Sequence, residues 1–364
     1  MKIINTKSEK FLEAYLNNAS PTGFEAPGQQ LWLRYLKPYI DDWGLDNYGT
    51  AYGIVNPGQD YKVVIEGHAD EISWFVHFIT DDGFLHVIRN GGSDHTIAPS
   101  KRVNIHTENG FVKGVFGWPA IHVRRGDDAK LNPTLENIWI DVGAKDKEEV
   151  LEMGIHVGSV ITYEDEYMKL NDRYYVGRAL DNRMGGFCVA EVARLLHENK
   201  KQLPFTLYVV NSVQEEIGLR GAQMIANTIQ PDVAIVTDVT HDTSTPLMKK
   251  KKNGDVKAGN GPSVTFAPAV QTNLLQLIRN TAKQHDIPLQ LEASSRSTGT
   301  DTDAFAYSGR GVPSALISLP LRYMHTTVEM AHKSDVENVI RLIYESVLNL
   351  KAGHDFRYFS KDSI

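Results

Sequence analysis

The 364-residue chain contains a single cysteine, Cys188, so it can form neither an internal disulfide nor a thiolate-rich zinc site. No stretch approaches the roughly 20 consecutive apolar residues that a membrane-spanning helix needs, and the first residues lack the apolar core of a secretory signal. Basic residues are not in excess either, because the formal net charge is -7, which argues against a general nucleic-acid-binding surface. These absences predict a cytoplasmic protein with no membrane or nucleic-acid partner.

The length of the chain and its pattern of apolar and polar residues predict two structural units. A single core rarely grows beyond about 250–300 residues, and the hydrophobic content of 41% is ordinary for a globular protein. Strand-like and helix-like segments alternate in residues 1–72 and 175–364, whereas residues 73–174 contain short alternating runs separated by Gly, Asp and Asn turns. We therefore predict an α/β domain with a mixed sheet in an α/β/α arrangement, interrupted by a small β-rich domain.

Within the α/β segments, continuous apolar runs predict strands that are buried on both faces. Helical spacing of apolar residues predicts the intervening helices. The predicted strands end in VVIEG, TLYVVNSV, VAIVTDV and SALISLP, and the predicted helices cover Ser8–Asn18, Gln29–Lys37, Lys147–Met153, Asn182–Leu196, Ala222–Asn227, Gln271–Gln284 and Val336–Leu350.

Polar residues follow the predicted strands at the end where open α/β sheets place their ligands. His68 and Asp70 come directly after VVIEG, Glu215 and Glu216 follow the strand that ends in NSV, and Asp238 closes VAIVTDV. Positions i and i+2 of an extended segment share a side, so Asp70 can hold the second ring nitrogen of His68. Taken singly, each also has an ordinary explanation, such as a structural histidine or a solvated acidic loop.

Two further residues extend the set. Asp181 lies in GRALDNRMGG, where it could cap a helix or bridge two cations, and His325 lies in RYMHTTVEM. Adjacent acids such as Glu215 and Glu216 repel each other unless a cation is near, and one can bind a metal while its neighbour acts as a general base. Two histidines with several carboxylates and no sulfur suit zinc, cobalt or manganese.

Other polar positions carry weaker signals. Cys188 lies between apolar neighbours of a predicted helix, which indicates a buried structural thiol. The run Lys249–Lys252 is typical of a solvated loop, although it could also steer a ligand. Asp301 and Asp303, in GTDTDAF, fit either turn chemistry or a role near the substrate.

The ordered motifs HADEI, GRALDNR, QEEIGLRGA, VTDVTHD and PLRYMHTTVE resemble those of the tetrahedral (TET) dodecameric di-metal aminopeptidases. That family includes glutamyl and deblocking aminopeptidases, and some of its members carry the name endoglucanase. The resemblance covers nearly the whole chain, including the predicted β-rich insertion. It implies a metallopeptidase that removes N-terminal residues from peptides with a free N-terminus, through a water activated by two divalent metal ions, zinc first and cobalt or manganese as alternatives.

The resemblance also implies roles for individual residues and for the assembly. Glu215 would be the general base and Asp70 would orient His68. The ligands of one ion would be His68 and Asp238, those of the other Glu216 and His325, and Asp181 would bridge both. Residues 1–72 and 175–364 would form the catalytic domain, and residues 73–174 a dimerisation and assembly domain. Relatives form dimers that build into a homo-oligomeric dodecamer.

Three other functions fit part of the pattern. A carboxypeptidase or an N-acyl amino acid deacylase of the same architecture would share the His-x-Asp motif, the glutamate pair and the histidine near the C-terminal end. The residues of the motifs GRALDNR and QEEIGLRGA nevertheless favour the aminopeptidase. A glycosidase could use paired carboxylates, yet it does not require two histidines among them. A non-catalytic relative would have lost a ligand or the base, and here every one is present.

Overall fold

The computed structural model describes residues 2–126 and 130–359, so a few positions of the predicted insertion (127–129) and of the predicted second catalytic segment (360–364) lie outside the described residues. The helices are α1 (Thr6–Asn17), α2 (Ala26–Leu36), α3 (Lys147–Glu152), α4 (Leu180–Glu198), α5 (Arg220–Ile229), α6 (Lys250–Asn253), α7 (Thr272–Gln284), α8 (Asp301–Ala306) and α9 (Lys333–Asn349). The strands are β1 (Asp42–Leu45), β2 (Ala51–Val55), β3 (Lys62–His68), β4 (Ser73–Ile79), β5 (Leu85–Asn90), β6 (Arg102–Thr107), β7 (Gly110–Gly117), β8 (Trp139–Asp141), β9 (Val160–Tyr163), β10 (Met168–Leu170), β11 (Tyr174–Gly177), β12 (Thr206–Ser212), β13 (Val233–His241), β14 (Ser263–Phe266), β15 (Gln290–Ala293), β16 (Ser314–Arg322) and β17 (Glu329–His332).

A large mixed sheet organises the α/β part of the chain. Its strand order is β1-β2-β12-β3-β13-β16-β17-β11-β10, with β14 pairing both β15 and β16. The four central strands β12, β3, β13 and β16 run parallel, and Ile65 of β3 faces Val209 on one side and Ile235 on the other. All three are fully buried, and burying each such side chain contributes about 1.5–3 kcal/mol. The predicted mixed-sheet α/β fold is confirmed.

Helices cover this sheet in two groups. Helix α4 packs against β3, β12 and β13, and α9 packs against α4 and β16, while α5 and α8 contact each other and the strands β12, β13 and β16. Every residue of α4 from Leu180 to Leu196 is buried, which is typical of a helix enclosed on all sides. Cys188 is among them, so its predicted burial is confirmed, and burial raises the pKa of its thiol.

A second, smaller unit is a closed antiparallel barrel with strand order β4-β5-β8-β7-β6-β9. Alternate residues of its strands point inward and form a separate core, where Trp74 meets Phe116 edge-on with ring centroids 5.6 Å apart. The predicted β-rich unit is therefore a barrel that interrupts the α/β chain. Strand β10 lies within 73–174 but pairs in the large sheet, and the division of the chain at these residues stays a prediction.

One sequence-based prediction needs correction. The run Lys249–Lys252 is not an irregular loop, because Lys250–Asn253 form a single helical turn, α6. Its side chains are exposed, and Lys250 is paired with Asp255 at 2.7 Å. The lysines therefore remain solvated, and the turn forms because helix formers occupy consecutive positions.

Candidate metal centre

The polar residues singled out in the sequence converge at the carboxyl edge of the four parallel strands. His68 ends β3, Glu215 and Glu216 lie just after β12, Asp238 lies in the second half of β13, and His325 follows β16. Parallel strands end at the same edge of a sheet, so residues far apart in sequence meet there. The structure thus brings together residues that the chain separates by more than two hundred positions.

Asp181 reaches the same place from the start of α4. The backbone at Asp181 departs from helical angles, and the bond that joins it to Asn182 is cis. Close approach of α4 to β3 depends on glycine, because a Cβ added to Gly67 would lie 2.5 Å from the backbone carbonyl carbon of Gly185. The glycines in IEGHAD and RMGG therefore let the helix start lie beside His68.

Three carboxylates surround the Nε2 atom of His68. The nearest oxygens of Asp181, Glu215 and Asp238 lie 3.4, 3.7 and 3.9 Å from it. Two ligands of one tetrahedral zinc ion, each about 2.0–2.1 Å from the metal, are separated by about 3.4 Å. The spacing thus fits ligands that share a cation. Glu215 is as near to His68 as Asp238 is, so distance alone does not separate a base from a ligand.

His325 faces a second part of the cluster. Its Nε2 lies 3.1 Å from Oδ2 of Asp181 and 3.4 Å from Glu216. Asp181 directs its other oxygen, Oδ1, towards His68. One carboxylate therefore lies between two imidazoles, with one oxygen for each. The His325 side chain is one-third exposed whereas His68 is buried, so the cluster opens to solvent beside His325.

Asp70 connects His68 to the loop that carries the glutamate pair. Its Oδ1 lies 3.2 Å from Nδ1 of His68, without the alignment of a full hydrogen bond, and accepts a hydrogen bond from the backbone N–H of Glu215. Its Oδ2 accepts from the backbone N–H of Glu216 and from the Thr22 hydroxyl. This fully buried carboxylate therefore holds the loop that carries Glu215 and Glu216, and it lies beside the His68 ring.

The pKa values of the cluster reflect burial and mutual charge. Burial, opposed by His68 and reinforced by Asp238, raises the pKa of Glu215 to about 10. Burial lowers the pKa of His325, but its contacts with Asp181 and Glu216 outweigh this effect and raise the value to about 11. Burial also opposes ionisation of Asp181, yet the two histidines hold the pKa of its carboxyl well below the usual range. These shifts follow from burial together with the mutual charge of neighbouring carboxylates and imidazoles.

The donor set fits divalent cations. Two overlapping triplets, His68–Asp181–Glu216 and His68–Glu215–Asp238, each have ligand atoms within 4.8 Å of one another. Among the described residues, no lysine or arginine pairs with Asp70, Asp181, Glu215, Glu216 or Asp238. Buried carboxylates need such compensation, and nitrogen and oxygen donors without sulfur suit zinc, cobalt or manganese.

Sequence reasoning missed Glu329, which supports two residues of this cluster. One carboxylate oxygen accepts from the backbone N–H of His325 at 2.7 Å, and the other accepts from the backbone N–H of Asp181 at 3.1 Å. The side chain is 2% exposed. Its position four residues after His325, between Val328 and Met330, was the available signal, but only the tertiary structure brings it to Asp181.

The two aspartates of GTDTDAF differ in their surroundings. Asp303 accepts hydrogen bonds from the backbone N–H groups of Thr298 and Gly299, which is turn chemistry. Asp301 is buried and accepts from the Ser212 hydroxyl, which also contacts Glu66 beneath His68. Burial and the neighbouring Asp301 raise the pKa of Glu66 well above its usual value.

No helix within residues 2–126 and 130–359 combines the length and the apolar character required to cross a bilayer.

Comparison with known proteins identifies relatives over nearly the whole chain. A family model described as M42 glutamyl aminopeptidase matches residues 50–342. A lysyl aminopeptidase of Pyrococcus furiosus is 33% identical over 344 residues, which cover 94% of this chain and 97% of that protein. A TET aminopeptidase structure from a marine sediment Thaumarchaeota archaeon is 31% identical, with a TM-score of 0.91, and covers 96% of this chain and 98% of its own. The TET1 peptidase of Pyrococcus horikoshii, which can assemble into a tetrahedron or a large octahedral shell, is 27% identical with a TM-score of 0.82, over 94% of this chain and all of its own.

Proposed function

Because this chain belongs to the M42 glutamyl aminopeptidase family of metal-dependent peptide-bond hydrolases, we propose that it removes N-terminal residues with two divalent ions bound at the carboxyl edge of the sheet. In this proposal Asp181 bridges the ions, Glu215 is the general base and Asp70 orients His68. The remaining ligands are His68 and Asp238 for one ion, and Glu216 and His325 for the other. Zinc is the first candidate, with cobalt and manganese as alternatives.

The observation that carries the two-ion proposal is the placement of Asp181. Its Oδ1 lies 3.4 Å from one imidazole and its Oδ2 lies 3.1 Å from the other. A carboxylate that serves a single ion has no need of a second histidine on its far oxygen. Carboxylates that bridge two ions present one oxygen to each, and such ions lie about 3.5–4 Å apart.

The chain's own groups account for the steps of hydrolysis. When bound, divalent ions would supply a lowered water pKa and a polarised carbonyl. Glu215 would take the proton of the attacking water and deliver it to the leaving amine, because its carboxylate, which is 11% exposed, faces the same space as His68 and Asp238. The free α-amino group of a peptide would meet an acidic surrounding, which supports cleavage at the N-terminus.

A substrate panel tests this function directly. The protein would be stripped of metals and assayed with amino-acid p-nitroanilides after zinc, cobalt or manganese is added back, with N-acetylated versions in parallel. We expect metal-dependent release from the free-amine substrates alone, and the panel would identify the preferred residue. A deacylase would instead release acetate from the N-acetylated versions and no p-nitroaniline from the free-amine substrates, and this result would contradict the aminopeptidase proposal.

Metal binding is expected to release protons. His325 and Glu215 have pKa values of about 11 and about 10 without metal. Both groups therefore hold protons at neutral pH, and a cation that binds beside them favours release of these protons. Metal affinity should therefore rise with pH, and calorimetry in two buffers of different ionisation enthalpy should detect net proton release at about pH 7. His325→Gln should release fewer protons. Equal affinity at about pH 6 and about pH 8 would contradict this prediction.

We also propose that the protein forms a homo-oligomer through the inserted domain, residues 73–174. The barrel exposes large apolar side chains, including Phe78, Phe111 and Val115, each about half exposed, and such residues mark protein interfaces when they group together. The dodecamer that the sequence resemblance implies, and the cytoplasmic location, stay predictions. Light scattering would measure the mass, and a monomer at assay concentration would contradict the assembly.

A further inference from the structure

The segment that carries His325 has an unusual backbone. It connects the end of β16 at Arg322 to the start of β17 at Glu329. Tyr323 and His325 both adopt left-handed angles, with φ of 58° and 60°. Residues with a Cβ disfavour this region, so the conformation persists only when surrounding contacts impose it. The contacts on this segment therefore determine where the His325 ring lies.

Two of these contacts come from the inserted barrel. The backbone of Gly92, in the loop after β5, lies against the His325 ring, because a Cβ built on Gly92 would be 2.5 Å from Nδ1 and 2.7 Å from Cε1. The Lys101 ammonium, just before β6, donates a hydrogen bond to the hydroxyl of Thr327, which is 3% exposed. From within the α/β domain, Glu329 accepts a hydrogen bond from the backbone N–H of His325, and Met324 packs against the apolar core of that domain.

Glycine is required at position 92 by the ring and not by the backbone. The φ angle of Gly92 lies outside the left-handed region, so alanine could adopt the same backbone conformation. What excludes a side chain is the Nδ1–Cε1 edge of the imidazole. With Nδ1 against Gly92, the opposite nitrogen, Nε2, points to Asp181 and Glu216. A methyl group at position 92 would therefore displace the ring from these two carboxylates.

The glycine loop is itself held firmly. The buried Asn90 amide donates to the carbonyl of Thr22 and to the hydroxyl of Ser73, both at 2.8 Å. The Ser93 hydroxyl donates to the Ser73 carbonyl at 2.7 Å. A Cβ at Gly91 would lie 3.1 Å from Cβ of Glu216. The same anchored loop thus contacts both Glu216 and His325, the two ligands assigned to one ion.

We propose that the inserted barrel positions one half of the metal centre, with Gly92 as a positioning residue for His325 and Lys101 as a second support. This inference rests on the proposed two-ion function. The barrel would then contribute to catalysis within its own subunit, in addition to any role in assembly. The other half of the centre, at His68 and Asp238, is built on strands of the large sheet and does not depend on these contacts.

The test compares two alanine substitutions in the same barrel. Gly92→Ala places a methyl group 2.5 Å from a ring nitrogen of His325, and Gly117→Ala places one 2.5 Å from the ring nitrogen of Trp139, on the barrel strands β7 and β8. The metal-stripped full-length proteins would be titrated with zinc against a chromophoric chelator. We expect Gly92→Ala to bind one ion as tightly as the unmodified protein and the second at least about tenfold more weakly. Gly117→Ala should bind both normally.

A third variant allows the test to be made even if Gly92→Ala does not fold. Lys101→Met removes the contact with Thr327, together with a partly exposed ion pair to Asp165, without adding an atom beside the ring. It should therefore weaken binding of the same ion by a smaller factor. If Gly92→Ala does not fold, Lys101→Met carries the test, and normal affinity for both ions would then overturn the inference. Normal affinity for both ions in a folded Gly92→Ala would also overturn it. Binding of fewer than two ions by the unmodified protein would instead contradict the proposed two-ion function.

Discussion

Glu215→Gln is expected to lower kcat by about 10²–10⁴, the usual contribution of a positioned general base, while both metal ions stay bound. Glutamine has the shape of glutamate but cannot accept the proton of the attacking water. The side chain lies within 3.7 Å of His68 in the buried centre, so the substitution changes the chemistry with little change in packing. Activity with p-nitroanilides and metal content by elemental analysis would be measured on the same sample.

The neighbouring residue provides the matched control. Glu216→Gln makes the same chemical change one position along the chain, but at a proposed ligand 3.4 Å from His325. We expect this variant to lose affinity for one ion, whereas Glu215→Gln keeps both. Near-normal kcat in Glu215→Gln would show that another group acts as the base. Loss of an ion from Glu215→Gln would instead make Glu215 a ligand.

Asp181→Ala should have the largest effect on metal binding. Its carboxylate lies between both imidazoles, so its removal takes an oxygen from each ion and leaves the two ions to repel each other without a bridge. Losing an outer partner of a ligand already costs about 10–100-fold in affinity, and losing a shared ligand should cost more than that for at least one ion. Elemental analysis after dialysis would count the ions.

A buried aspartate outside the cluster serves as the control for this substitution. Asp303 is 9% exposed and accepts two backbone hydrogen bonds in a turn before α8. Asp303→Ala should therefore lower the free energy of unfolding, by about 1 kcal/mol or more, and leave metal content unchanged. Two tightly bound ions in Asp181→Ala would exclude the bridging role.

The parallel core of the fold was predictable because its strands are buried on both faces. Runs such as the one ending at Ile65 are continuously apolar, and this pattern differs from the alternating runs of the barrel, such as that around Phe116. The polar residues after each run could therefore be assigned to one edge of the sheet. Helix bounds were predicted to within a few residues, since capping and fraying decide the last turn.

The contacts between distant segments were not predictable from one sequence. Glu329 accepts a hydrogen bond from Asp181, 148 positions away in the sequence. Gly92, which belongs to a different structural unit, lies against the His325 ring. Neither residue has a local pattern that marks its partner, because hydrophobic periodicity reports which side of an element is buried and not what it meets. The conformation of Lys249–Lys252 was also not predictable, because a solvated run of lysines is compatible with either a loop or a helical turn.

Anomalous diffraction from crystals grown with zinc would locate the ions in the centre. We expect two peaks per subunit, about 3.5–4 Å apart, one beside His68 and Asp238 and the other beside Glu216 and His325, with Asp181 between them. A single peak, or a second peak remote from Asp181, would contradict the two-ion proposal.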